Sequence, residues 1–205
     1  MADGDTSIRR GRKFDQVLDG ARSIFLADGF EGANVDAIAR EAGVSKATLY
    51  SYFPDKKHLF MEVARRECSR MADAALEVID MASDPRVVLT EAGTRIARFV
   101  LSDFAQRVFR ICVAEADRFP DLGRVFYESG PELGKQRLKE YFAEAVSRGF
   151  LKIEDPDLAA EQFGDLCKSV LWHRAVFGIQ REFSEDEIAR TVRGAVETFV
   201  ARYGI

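Results

Sequence analysis

Histidine is nearly absent: His58 and His173 are the only two in 205 residues. They lie far apart, and neither has a companion at metal-ligand spacing, so imidazole-based metal or acid–base chemistry is not expected. Cysteine is as sparse. Cys68, Cys112 and Cys167 are odd in number and widely separated, which argues against a disulfide framework or a metal cluster. Each sits inside a helical pattern and reads as a buried thiol, with redox sensing as the alternative. The glycines follow no phosphate-loop pattern. No catalytic constellation, cofactor or metal is therefore expected, and the chain does not read as an enzyme. Long apolar runs are missing too, and the N-terminal MADGDTSIRRGRK lacks the apolar core of a signal peptide, so the expected location is cytoplasmic, without a membrane partner. No stretch alternates as a strand does, and no internal repeat is visible.

A surplus of positive charge is also lacking, since the net charge is −4. Residues 1–57 hold nine Lys/Arg and nine Asp/Glu, so the whole deficit falls on residues 58–205. Any nucleic-acid binding must then rest on where cations stand, because phosphate contacts are short-range at physiological salt. They stand in two groups: Arg9, Arg10, Arg12 and Lys13 before the first helix, and Lys46, Lys56 and Lys57 around a motif. The arm formed by the first group fits either an adjacent DNA groove or a solvated tail.

That motif is Asn34–Lys57, NVDAIAREAGVSKATLYSYFPDKK. Val35, Ile38, Ala39 and Ala42 repeat at helical spacing, Asn34 suits the N-cap, and Gly43 suits a left-handed stop. Ser45 caps a second helix, Lys46–Tyr52, which ends at Phe53-Pro54. Ala39 is small where the two helices must approach. Leu49 and Phe53 point inward, leaving Lys46, Ala47, Thr48, Tyr50, Ser51 and Tyr52, a set with a cation, hydroxyls and aromatic tips but no carboxylate. An acid-free face suits a groove lined by phosphates. A plain helical hairpin is the other reading. The run IAREAGVSKATLYSYFPDKKHLF resembles the DNA-binding signature of the TetR/AcrR family of bacterial transcriptional regulators, with Ala47 where that family most often has glycine. ADRFPDLGRVFYESGP, at 116–131, resembles the family's AefR-like C-terminal subgroup. The resemblance implies DNA contacts from Lys46, Ala47, Thr48, Tyr50, Ser51 and Tyr52, with Ser45 and Lys56 holding phosphates.

The expected fold is all-α: a three-helix helix-turn-helix head, residues 1–54, joined by a long helix to a helical regulatory and dimerisation body, residues 55–205. Helix 1 is expected from about Lys13 to Asp28, closed by Gly29-Phe30, and the long helix from about Asp55 to Met81. Body helices are expected at 85–102, 103–118, 120–129, 131–148, 156–178 and 184–203. Helix 156–178 carries a bulky stripe (Ala159, Phe163, Leu166, Val170, Phe177) and a second stripe of small residues and Leu (Ala160, Gly164, Cys167, Leu171, Ala175, Gly178). Two apolar faces require burial on two sides. Together with Val192, Val196 and Phe199, the small stripe is the expected interface of a homodimer, for which the resemblance implies a four-helix bundle from the last two helices. Phe99, Phe109, Cys112, Phe126, Tyr141, Trp172 and His173 are candidates to line a small-molecule pocket, although an ordinary core explains an aromatic supply equally. His173 is expected inside the protein and His58 on the surface. The function these expectations support is a homodimeric repressor, released from a palindromic double-stranded DNA operator by a small-molecule effector. A helical small-molecule-binding protein, or a redox sensor acting through its cysteines, is the alternative.

Overall fold

A computed structural model describes residues 11–76, 83–114, 116–117 and 120–205. Arg9 and Arg10 of the basic arm, and the expected helix end at Met81, lie outside the described residues. Within them the chain is helical, the only bridge being an isolated one between Leu151 and Gly204. Two compact units divide it, Met1–Glu67 and Cys68–Ile205.

The first unit holds α1 (Arg12–Gly32), α2 (Val35–Glu41), α3 (Lys46–Tyr52) and the start of α4 (Lys56–Leu76). Gly29, at φ 72 and ψ −178, kinks α1 at the point where the sequence ends it. Val17, Leu18, Ile38, Leu49, Leu59 and Val63 are each at most 1% exposed, and burial of such side chains contributes about 1.5–3 kcal/mol apiece. Phe60 of α4 meets Phe25 edge-on at 5.0 Å and Phe30 at 5.2 Å. Arg22 of α1 pairs with Glu67 at 2.9 Å, and Arg66 pairs with Asp19. These contacts tie the first three turns of α4 to the head, so the division falls within that helix at Glu67/Cys68 rather than at the expected 54/55.

The second unit contains α5 (Pro85–Leu101), α6 (Asp103–Ala114), α7 (Pro120–Tyr127), α8 (Leu133–Ser147), α9 (Pro156–Lys168), α10 (Leu171–Val176) and α11 (Glu185–Tyr203). Asp84 caps α5 by accepting from the Arg86 amide at 2.7 Å, with Pro85 in the first turn. α5, α8, α9 and α11 share one core, in which Phe199 stacks on Phe142 at 5.1 Å and meets Phe163 edge-on at 5.2 Å. Gly93 permits this crossing: a Cβ there would come within 2.9 Å of the Cys167 sulfur and 3.0 Å of Val192.

Two expected boundaries differ. Gly130-Pro131 does not end a helix; α7 runs into α8 through a π-helical turn, Glu128–Glu132. In an α-turn the proline ring clashes with the carbonyl four residues back, and the wider i→i+5 turn leaves room for it. The helix expected over 156–178 is instead two, broken at Ser169-Val170. α9 packs on α5, α8 and α11, whereas α10 packs on α5 and α6. Different partners, rather than a proline or glycine, separate the two.

Candidate nucleic-acid interface

Local hydrogen bonds build the α2–turn–α3 unit. Asn34 accepts from the Asp36 amide at 2.8 Å. The Gly43 amide donates to Arg40 O at 3.1 Å and the Val44 amide to Ala39 O at 3.0 Å, with Gly43 at φ 64. That paired closure satisfies the last carbonyls of α2 and reverses the chain. Ser45 accepts from the Thr48 amide at 3.0 Å and shares a hydrogen bond with the Thr48 hydroxyl at 2.8 Å. Ser51 donates to Thr48 O at 2.6 Å. Leu49 is fully buried beneath.

The residues expected to face DNA divide by exposure. Ser45, Lys46, Ala47, Tyr50 and Ser51 are exposed, while Thr48, Tyr52 and Lys56 are half-buried. The Tyr52 ring lies edge-on to Phe14 at 5.7 Å, so packing fixes its direction. Lys56 donates to Ala33 O at 3.1 Å and Glu31 O at 3.4 Å, and its ammonium sits 4.7 Å from the centre of the Phe30 ring. That lysine already closes the end of α1. Lys46 is committed as well: its ammonium lies 3.0 Å from one Asp36 oxygen and 3.2 Å from the other. The hydrogen bond to Asp36 holds its pKa above the ordinary lysine value. Sequence reading missed Asp36, because an acid ten residues from a lysine, across a turn, has no spacing signature.

The body residues fall into separate groups. Phe109 meets Trp172 edge-on at 5.0 Å and Phe126 at 6.1 Å, and Cys112 reaches toward Leu122 O at 3.9 Å. Tyr141 instead belongs to the shared core. Phe99 is half-buried. His173 is exposed, which corrects its expected interior position: α10 turns Leu171 and Ala175 inward and His173 out. His58 is on the surface, 2.8 Å from Asp55. Among the described residues, the buried Gln106 side-chain oxygen and Tyr141 hydroxyl have no hydrogen-bond partner. Burial pushes the Tyr141 pKa up to about 12. It also raises the Cys112 thiol to about 11 and the Cys167 thiol to about 12, making both poor nucleophiles near neutral pH. A recess of about 280 Å³, lined by Lys152, Glu154, Arg202, Gly204 and Ile205, shares no residue with the expected pocket.

The small stripe is also placed differently. Ala160, Cys167, Leu171, Ala175, Val192, Val196 and Phe199 are at most 6% exposed within the single chain, because this chain's own α5, α8 and α11 close one core over the face expected to await a partner. Gly164 of that stripe has open space around its Cβ direction. The bulky stripe supplies exposed residues instead: Val170 at 55% and Phe177 at 75%, followed by Ile179 at 76%.

Among the described residues no helix is long and apolar enough to cross a membrane. The head matches the model of bacterial regulatory proteins of the TetR family over residues 17–63, and the body matches the AefR-like transcriptional repressor C-terminal domain over 87–205. A TetR-family transcriptional regulator from Mesorhizobium loti is 30% identical, with a TM-score of 0.82, over 95% of this chain and 98% of that one. The flavonoid-responsive regulator FrrA is 34% identical, with a TM-score of 0.74, over the same shares. The HTH-type transcriptional repressor AcnR of Corynebacterium diphtheriae is 34% identical over 77 residues, 38% of each protein, so the match spans well under half the length of that curated relative. A matched body, a matched head and whole-chain likeness agree: the chain belongs to the TetR family of bacterial transcriptional regulators.

Proposed function

We propose that the protein is a homodimeric repressor whose two α3 helices read a near-palindromic operator in successive major grooves, and that a small-molecule effector in the body releases it. The observation that carries this reading is the acid-free exposed surface of α3, with Lys46, Ala47, Tyr50 and Ser51 outward over a buried Leu49. The repressor sense is supported by the AefR-like repressor match and by AcnR. Lys46→Ala combined with Tyr50→Ala should abolish selective binding to a duplex selected from genomic DNA, with little change in helix content. Unchanged affinity in that double variant would sink the reading.

For the effector, the likeness to a regulator named flavonoid-responsive supports an aromatic, hydroxyl-bearing molecule. So do the Phe109–Trp172 cluster and, on the same helix as Phe109, the buried Gln106 side-chain oxygen without a hydrogen-bond partner, since such an atom is costly until something pairs with it. Release requires the effector to favour one of two head spacings, a coupling typically of about 1–3 kcal/mol, carried along α4, whose helix is common to both units. For the partner copy, the supporting surface is the exposed Leu158, Val170, Phe177 and Ile179 with open Gly164.

A further inference from the structure

We infer that Asp36 is a specificity-determining residue of the head, holding Lys46 off random DNA and yielding it only when an operator seats α3. This rests on the reading of α3 as the recognition helix. Asp36 is the second residue of α2 and Lys46 the first of α3, and both carboxylate oxygens lie within 3.2 Å of the ammonium. The pair bridges the two helices on their exposed side, the two side chains being 62% and 51% exposed. Ion pairs so exposed contribute little to stability, and the helices are already joined by the Gly43 turn and by buried Ile38 and Leu49. What the pair does is occupy the cation of the recognition helix. A phosphate oxygen approaching that ammonium meets a carboxylate of its own sign, competing for the same N–H donors. The head has no surplus of positive charge to override the competition.

The consequence depends on the DNA. On random sequence only phosphate contacts are on offer, the head stays loosely seated, and Lys46 remains on Asp36 without releasing a counterion. On an operator, contacts of Tyr50 and its neighbours with base edges draw α3 into the groove, and the lysine transfers to a phosphate.

Salt dependence of binding reads this directly. The full chain is titrated against a duplex selected from genomic DNA and against a scrambled duplex of the same length. Each neutralised phosphate adds about 0.9 to the slope of log affinity on log salt. The slope on the selected duplex should exceed that on the scrambled one by about one per head. Asp36→Asn should raise the scrambled-DNA slope by about one per head, and the affinity there about eightfold per head at ~0.1 M salt, with the slope on the selected duplex unchanged. Adding Lys46→Ala should erase the gain, and Asp36→Ala should reproduce it, both at unaltered helix content. A scrambled-DNA slope that ignores Asp36→Asn, or a fall in affinity for the selected duplex, overturns the proposal. Unchanged binding of the selected duplex by Lys46→Ala with Asp36 intact also overturns it, whereas the reading of α3 fails separately, if Lys46→Ala combined with Tyr50→Ala leaves that binding unchanged.

Discussion

One methyl group at position 20 would keep α1 and α2 from meeting. A Cβ on Gly20 would lie 2.7 Å from the amide nitrogen of Ala42 and 2.8 Å from its Cβ, and a backbone atom cannot swing aside. Gly20→Ala is expected to lose about 1–3 kcal/mol to overpacking, more than the ~1 kcal/mol that alanine gains over glycine inside a helix. Operator binding should weaken in parallel, because Ala42 leads into the turn that aims α3. Urea unfolding measures the first effect and DNA titration the second. Gly134→Ala in α8, where a Cβ meets nothing within 4 Å, is the control and should be neutral or stabilising. The sequence draws attention to Ala39 as the small residue of this region. Gly20 gives no such signal, because its close contact is with another helix and not with its own neighbours.

Helix ends supply much of the polar structure. Ser184 accepts from the Glu187 amide at 3.2 Å while Glu187 accepts from the Ser184 amide at 3.0 Å, a reciprocal box at the start of α11. The Ser184 N–H first, then the Gln180 amide, hold the Glu187 carboxyl below its usual range. Lys139 lowers Asp157 and Lys135 lowers Glu132 in the same way. Folded values below unfolded ones mean stability that is fully present above the ordinary carboxylate range of about 4 and lost as pH falls through the folded values. The thermal midpoint should therefore drop between pH 6 and about 3, and Glu187→Gln, which can still accept the Ser184 hydrogen bond, should show a smaller drop. An unchanged drop in Glu187→Gln would remove Glu187 from the cause. Ser184→Ala should cost about 1 kcal/mol at neutral pH.

For the whole molecule, the testable quantity is the two-fold dimer. Phe177 and Ile179 are three-quarters exposed in the single chain, an arrangement that favours a partner over water. Gly164→Glu and Phe177→Glu place a charge on that surface without entering the core, unlike a charge at Ala175, which is 6% exposed. Both variants should sediment as folded monomers at micromolar concentration and lose operator binding, since one short helix reads too few base pairs to be selective. A monomeric unmodified chain, or an undisturbed dimer in both variants, would refute this assembly.

The helix-turn-helix was legible residue by residue. Asn34, Gly43 and Ser45 act through hydrogen bonds to neighbours within four positions, and Pro54 through its ring on the residue before it; local chemistry of that kind is written in local sequence. The acid-free face of α3 was legible for the same reason. Apolar periodicity likewise identified most helices, but not what each face would meet. The small stripe of 156–178 shows the limit: periodicity requires Ala160, Cys167 and Ala175 to be covered, and packing decided that the cover is this chain's own α5, α8 and α11. The break at Ser169-Val170, the outward turn of His173 and the Asp36–Lys46 pair belong to the same class. Each depends on a distant element brought near by the fold, so the amino-acid order determined which surfaces needed partners, and only tertiary contact determined which partners they received.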